Sequence, residues 1–285
     1  MNLSGLKQKT ERLLQLHHGD ELLVLPNVWD PIGARILEAE GYPAVATASA
    51  AISSSLGYRD GEKIGRSTML EAIARIAQSV DVPVSADIES GYAKNTEQLA
   101  ETVSRVLNAG IAGINLEDSA GNDAKLIDIS EQCERLAVVR ETADAHGIHL
   151  LINARIDSFI HPANREPEAQ LEDAIQRAEA YLHAGADCVF PIGPGDTDTV
   201  SELCKRLDGP VNILMTKNAA PLDELKRLGV RRVSFGPFVF RACYKQFVDI
   251  AQALRNEKNC AGVFENTLTQ DEIRKYLRER FESND

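Results

Sequence analysis

The sequence predicts a (β/α)8 barrel, with an additional N-terminal helix and a C-terminal helical extension. About eight apolar runs of strand length alternate with segments of helical period, the pattern of a parallel sheet covered by helices. Glycines close helices just before the next strand in AGIAGIN, AGADCVF and LGVRRVSF. The 285 residues suit one such barrel, whose usual length is roughly 250 residues.

Taken in order, the opening MNLSGLKQKTERLLQLHHGD predicts an amphipathic helix carrying Leu3, Leu6, Leu13, Leu14 and Leu16. It has no apolar core of signal-peptide length, and its last residues, His17 and His18, read as an exposed helix end. ELLVLPNV (21–28) predicts the first strand, and the helix after it opens near Asp30 with Pro31 in its first turn. AVATAS (44–49) is the second strand, followed by a loop to Asp60 and a helix over 67–80. VPVSADIE (82–89), GINLED (113–118) and HLLINARID (149–157) precede helices over 96–109, 130–146 and 167–184. CVFPIG (188–193), VNILM (211–215) and RRVSFG (231–236) complete the set, with helices over 197–207 and 221–228 between them. Residues 238–256 read as the last barrel helix, which leaves 257–285 as an extension suited to packing on a neighbouring subunit. No linker rich in Pro, Gly or Ser divides the chain, so 1–285 is read as a single domain. A doubly wound open sheet competes, but the first strand–helix turn lacks G-x-G-x-x-G and no P-loop motif occurs.

Composition narrows the partners. With 31 Lys and Arg against 43 Asp and Glu, the net charge of -12 disfavours nucleic acid. No apolar run is long enough to cross a bilayer, so no membrane partner is expected. The five cysteines are odd in number and lack C-x-x-C spacing, which points to a reducing compartment, the cytoplasm by default, and away from a zinc cluster.

The chemistry lies in acidic residues placed where successive strands run out: Asp60, Asp87 and Glu89, Glu117 with Asp118, and Asp157. One such residue is well explained as a helix cap; the series suggests a pocket on the barrel face where strand ends converge. Asp87 and Glu89 are two apart and share one side of an extended strand. Oxygen ligands of this kind suit Mg2+, with Mn2+ as a substitute, bound with some of its waters retained. Such an ion would act as a Lewis acid toward the enolate of a small 2-oxo acid. Arg155 offers a planar fork for a carboxylate, or a salt bridge with Asp157 or Asp118; spacing alone leaves both readings open.

The runs LPNVWDPIGARILEAEGYPAVATASAAISSSLGYRDGE, SADIESGY, GINLEDS and INARIDSF together resemble the isocitrate lyase and phosphoenolpyruvate mutase superfamily over roughly residues 20–240. The resemblance implies a Mg2+-dependent barrel enzyme that makes or breaks C–C or P–C bonds through a pyruvate-like enolate, as a tetramer exchanging a C-terminal helix. By position it implies Asp87 as a direct metal ligand, with Asp60, Glu89 and Glu117 holding the metal's waters. Arg155 then binds substrate, and Thr47, Ala48 and Ser49 present N–H groups and a hydroxyl to it; Asp60, Glu117 and Arg155 are the catalytic candidates. Two departures matter: Glu89 stands where the family usually has Asp, and SAGNDAKLIDISEQC lacks the loop Cys-Gly-His of isocitrate and methylisocitrate lyases. Cys133 lies too far along to replace that acid, and Thr216 stands where those lyases have Asn. Phosphonate chemistry is the alternative, yet Pro191 replaces a phosphoryl-holding His, and Asn122 and Lys125 are only loose stand-ins on the loop. The expectation is a carbon–carbon lyase acting on a 2-oxo or 2-hydroxy diacid, of oxaloacetate decarboxylase or dimethylmalate lyase type. A non-catalytic metabolite-binding barrel is the reading from another class.

Lesser signals are Lys217 as a Schiff-base amine, a phosphate site at SFGPFVFR, and Tyr58 with Arg59 at the pocket mouth. His146, His149, His161 and His183 show no ligand spacing.

Overall fold

A computed structural model describes residues 3–119, 125–160, 166–258, 260–265 and 267–277. His161, Asn122 and the end of the extension lie outside them.

The first apolar run is interrupted at Pro26, which has no N–H to give a ladder, and so yields β1 (Leu23–Leu25) and β2 (Asn27–Val28). The remaining strands are β3 (Val45–Thr47), β4 (Val84–Asp87), β5 (Gly113–Glu117), β6 (Leu151–Ile156), β7 (Cys188–Pro191), β8 (Asn212–Leu214) and β9 (Arg232–Ser234). All pairs are parallel, in the orders β2-β3-β4-β5-β6-β7 and β1-β9-β8. The broken first strand joins the two sheets on one side, and a parallel bridge between Val189 and Val211 joins them on the other. Neighbours therefore run in a ring of eight staves, as expected. The helices α2 (Pro31–Ala39), α3 (Ser49–Ser55), α4 (Arg66–Ser79), α5 (Thr96–Asn108), α6 (Ile129–Ala145), α7 (Pro167–His183), α8 (Thr197–Arg206) and α9 (Leu222–Arg227) follow the strands. Their starts are legible in sequence: Asp30 accepts from Gly33 N–H at 2.7 Å, Asn95 from Gln98 N–H at 2.9 Å and Asp196 from Thr199 N–H at 2.9 Å.

Alternation along the strands sorts the interior into layers. Gly113, Asn115 and Glu117 share one side of β5, and Leu151, Asn153 and Arg155 share one side of β6. At the bottom, α1 (Leu3–His18) closes the N-terminal end with the fully buried Leu13, packed with Leu23, Leu25, Ala46 and Leu151. Burying such a leucine contributes about 1.5–3 kcal/mol. Gly113 makes room for it, because a Cβ there would stand 2.8 Å from Leu13 Cδ2.

The middle layer is polar. Arg232 is completely buried, and among the described residues no carboxylate lies within ion-pair distance of it. Its neighbours are Ser85 Oγ at 3.3 Å, Asn115 Oδ1 at 3.4 Å and His17 Nε2 at 3.5 Å. His17 is thus no exposed helix end but a buried ring whose Nδ1 bonds the Leu13 carbonyl at 2.8 Å. The helix carries its final turn under the barrel, a placement that helical period alone does not reveal. Burial, with Arg232 adding to it, lowers the His17 pKa to about 3, so the ring is neutral.

The last barrel helix also departs from expectation. α10 (Phe238–Gln252) buries only Phe240, which meets Trp29 edge-on at 5.2 Å and stacks on Tyr244 at 4.2 Å. Beyond it, Tyr244, Phe247 and Val248 are 44%, 66% and 44% exposed, so the helix projects from the barrel with its apolar stripe uncovered. A π-helical turn (Ala253–Glu257) and the short α11 (Ala261–Phe264) and α12 (Gln270–Arg274) follow. The Tyr276 carbonyl accepts from Arg35 of α2, so part of the extension returns to its own barrel. No described helix is long and apolar enough to cross a membrane.

Candidate active site

A cavity of about 210 Å³ opens at the C-terminal ends of the strands, lined by Ala48, Ser49, Asp60, Asp87, Asn115 and Arg155, with Phe190, Ile192, Leu214, Ser234, Gly236, Pro237 and Arg241 around them. A larger groove of about 660 Å³ lies at the opposite end, between Arg12, Asp20 and Tyr42. The smaller cavity is the functional candidate, because catalytic groups in such barrels come from strand C-termini, and there Asp60 and Asp87 meet Arg155 and Arg241.

Strand register explains the central pair. Glu117 faces Arg155 directly across the β5–β6 ladder, and their side chains meet at 2.6 Å. Arg155 also donates Nε to Asp157 Oδ1 at 2.7 Å and Nη2 to Oδ2 at 3.1 Å. Asp157 is fixed in turn by Ser119 Oγ at 2.5 Å and through its own N–H to Asp118 Oδ1 at 2.9 Å. Asp118 accepts from Tyr181 at 2.7 Å and Arg177 at 3.1 Å. The fork of Arg155 is thus a salt bridge and a cavity wall at once, with Asp157 and Glu117 rather than Asp118 as its partners.

Asp87 is held by the segment after β3. Its Oδ2 accepts from Ser49 N–H at 3.0 Å and Ser49 Oγ at 2.7 Å, while its N–H donates to Thr47 Oγ1 at 3.0 Å. Ser49 Oγ also stands 3.4 Å from Asp60 Oδ1. Ala48 N–H is bonded to the Val28 carbonyl at 3.2 Å. The groups expected to meet substrate here are therefore engaged within the protein: Thr47 is wholly buried and positions Asp87, and the Ser49 N–H binds a carboxylate that belongs to the chain itself.

Glu89 lies apart from the cavity lining. It has φ 52°, and its carboxylate accepts from Tyr92 Oη and from Glu62 N–H at 2.6 Å; Glu62 and Tyr92 are also left-handed, at φ 60° and 53°. Two such non-glycine residues in the turn after β4, joined to a third in the loop before α4, carry a backbone cost that these hydrogen bonds offset. The methylene that distinguishes Glu from the usual Asp is what lets this carboxylate extend to Tyr92.

The acids crowd one another. Burial raises the Asp60 carboxyl, with Asp87 adding to it, and burial pushes Glu89 up to about 7, opposed by the Tyr92 bond and reinforced by Asp60 and Asp87. Glu117 is raised well above its usual range by burial, against the pull of Arg155. Burial lifts Asp118 to about 6. Among the described residues no three acidic, His or Cys side chains converge as direct ligands of one ion. The donor set nevertheless fits a hard divalent cation held by one or two carboxylates and its own waters, since Asp60, Asp87 and Glu89 form no ion pair among the described residues and all donors are oxygens.

A pH dependence follows. A carboxyl raised on folding binds its proton more tightly in the folded state, so its stabilising contribution is full below the unfolded value and is lost as pH rises through the folded one. For Glu89 that window runs from 4.5 to about 7, worth roughly 3 kcal/mol at about 1.4 kcal/mol per unit. Urea midpoints of the metal-free protein should fall across this window, and the fall should be shallower in Glu89→Gln. Parallel profiles for the two proteins would contradict the assignment.

Several sequence signals find no role in the cavity. Tyr58, Arg59 and Lys217 are exposed and do not line it. Within the SFGPFVFR stretch, the N–H groups of Phe235 and Gly236 are already bonded to Asn27 Oδ1 at 2.7 and 2.8 Å. Cys133 packs against the core, its thiol 3.6 Å from the Ala180 carbonyl and its pKa raised by burial. Sequence reasoning missed Arg241, Asn115 and Asn27. The FGPFVFR stretch held a signal for the first, since an Arg one turn into a helix that follows a strand end can face the same mouth.

The model of the phosphoenolpyruvate phosphomutase family matches residues 13–255. The chain belongs to that family. An uncharacterised Mycobacterium tuberculosis protein is 35% identical over 80% of this chain and 82% of its own length. The 2,3-dimethylmalate lyase of Eubacterium barkeri is 26% identical over 92% and 91%. A crystal structure from Burkholderia cenocepacia J2315, reported as a candidate lyase or mutase, is 31% identical with TM-score 0.88, covering 96% of each chain. A phosphonopyruvate hydrolase solved with oxalate and Mg2+ shares the fold at 22% identity and TM-score 0.82, covering 94% of each chain. Named relatives include a phosphoenolpyruvate phosphomutase and a 2,3-dimethylmalate lyase, which agrees with the resemblance read from SADIESGY and GINLED.

Proposed function

We propose that this family member is a Mg2+-dependent carbon–carbon lyase acting on a small 2-oxo or 2-hydroxy dicarboxylic acid. The carrying observation is the composition of one cavity: Asp60 and Asp87 on its acidic side, Arg155 and Arg241 as two separate cations, and an apolar wall of Phe190, Ile192 and Leu214. Two arginines suit a substrate with two carboxylates. The apolar wall, at the end of β7 where a phosphoryl group would need donors, favours an alkyl-bearing diacid over a phosphonate. Its relative in Eubacterium barkeri, named for dimethylmalate, fits such a substrate.

Asp87 would hold the ion directly, with Asp60, Glu89 and Glu117 around its waters. When bound, Mg2+ supplies Lewis-acid stabilisation of negative charge on the substrate oxygen. The residues perform the rest. Arg155, fixed by Asp157, grips one carboxylate, and Arg241 takes the other. With a 2-hydroxy diacid, Asp60 accepts the hydroxyl proton, C2 becomes a carbonyl, the C2–C3 bond breaks, and its electron pair spreads into the carboxylate on C3. With an oxaloacetate-like acid, CO2 leaves and the pair forms the enolate of the remaining 2-oxo acid. Solvent returns the proton, the loop Cys being absent. Exposed Tyr244, Phe247 and Val248 support assembly through α10 and the extension, in a tetramer of cytoplasmic subunits.

A product assay for 2-oxo acids over oxaloacetate, methylated malates, methylisocitrate and phosphonopyruvate tests the reading. Turnover of a diacid that requires Mg2+ is expected. Phosphate release from phosphonopyruvate as the main activity would instead assign P–C chemistry. A Mg2+-dependent rise in Tm with no turnover of any acid would assign a binding protein.

A further inference from the structure

The polar middle layer bears on the cavity above it. Asn115 lies on β5 between Gly113, which faces the α1 plug, and Glu117, which pairs with Arg155. Its Oδ1 receives two donors from below and beside: Asn153 Nδ2 at 2.8 Å and Arg232 Nη2 at 3.4 Å. A guanidinium only donates, so the amide atom that faces Arg232 is the oxygen. The Nδ2 end must then point the other way. No described residue accepts from it, and the 6% of Asn115 that remains accessible lines the cavity.

Keeping this arrangement is costly. Arg232 is fully buried without a carboxylate, and its Nε, Asn153 Oδ1 and Asn212 Nδ2 have no partner among the described residues. Barrel interiors are ordinarily filled with branched apolar side chains. His17 adds no second charge, since its Nδ1–H is directed to the Leu13 carbonyl and its Nε2 lone pair faces Arg232. A layer that gives up stability at the floor of an active site is better explained by what it orients.

We propose that Asn115 contacts substrate, presenting its Nδ2–H group to a carboxylate or enolate oxygen, and that Arg232 and Asn153 are the positioning residues that fix the amide in this direction. The inference rests on the reading of the cavity as an oxo-acid site. A neutral, immobile donor of this kind can strengthen its bond as charge grows on the oxygen, without repelling the cation that Asp87 would hold.

Oxalate is a planar two-carboxylate mimic of a pyruvate enolate, and its binding to the full chain in Mg2+ can be measured by calorimetry without turnover. Asn115→Leu should weaken oxalate about 10- to 100-fold, the worth of a hydrogen bond to a charged group. Asn115→Asp should weaken it at least as much while keeping or raising Tm, because one oxygen then faces Arg232 and the other offers an acceptor to an anion. A purely structural Asn115 would show the same Tm with unchanged affinity. Arg232→Met should weaken oxalate, and the double variant should bind it no more weakly than Asn115→Leu alone. Unchanged oxalate affinity in Asn115→Asp overturns the role of Asn115 and leaves the cavity reading intact. Additive losses in Arg232→Met and Asn115→Leu overturn the positioning role. If the wild-type protein binds no oxalate in Mg2+, the cavity reading falls and this inference with it.

Discussion

Replacing Asp87 with Ala is expected to lower kcat/KM by roughly 10³-fold or more and to remove the Mg2+-dependent rise in Tm. The reason is positional. Asp87 closes β4, lines the cavity, and is surrounded by the acids whose protons it helps to retain: its charge contributes to the raised carboxyls of Asp60, Glu89 and Glu117. A cation that relieved this repulsion would bind best where Asp87 stands. Its Oδ2 accepts from the N–H and hydroxyl of Ser49, two groups that a substrate carboxylate could otherwise use. Ion binding at Asp87 would then free Ser49 for substrate, so the ion and the substrate should bind cooperatively. Isothermal titration of Mg2+ with and without oxalate would detect that coupling. Cys133→Ala is the control, with activity within about twofold of wild type, since the thiol is directed at the Ala180 carbonyl and is absent from the cavity lining. Full activity in Asp87→Ala, or loss in Cys133→Ala, would mean that the acid-lined site has been misassigned.

Arg155→Met should abolish substrate binding and also unfold the protein more easily, by about 3–5 kcal/mol. Glu117 and Asp157 both face this guanidinium, at 2.6 and 2.7 Å, and Asp157 is wholly buried. Removing the cation leaves two confined acids uncompensated, a larger penalty than the loss of the pair's own attraction. Arg155→Lys should recover part of the stability but little of the activity, because an ammonium cannot span Asp157 in two bonds while reaching Glu117. Urea denaturation at pH 7.5 reads the first effect and oxalate titration the second. A midpoint within error of wild type for Arg155→Met would show that the guanidinium does not carry the stability assigned to it.

Much of the site could be read from strand ends. Asp87, Glu117 and Arg155 each close a run whose apolar period marks a stave, and barrel topology alone brings such ends together. The turn after β4 was legible only as a departure from Asp at Glu89; its bond to Tyr92 sits between two positive φ values, at Glu89 and Tyr92, that no spacing encodes. Asn115 sits in the middle of GINLED, where an isolated polar residue in an apolar run gives no direction for its amide. Arg241 was obscured because α10 looked like an ordinary barrel helix, while in the fold only its first turns meet the barrel.

The sequence by itself determined the alternation of strands and helices, the acid-ended staves and the family to which they belong, because these depend on local period and on residues at fixed offsets. Tertiary structure alone decided that His17 lies under the barrel, that Arg232 occupies its interior without a carboxylate, and that Ser49 holds Asp87. Those outcomes depend on which surfaces are desolvated together, and desolvation is a property of the closed ring and of no single segment within it.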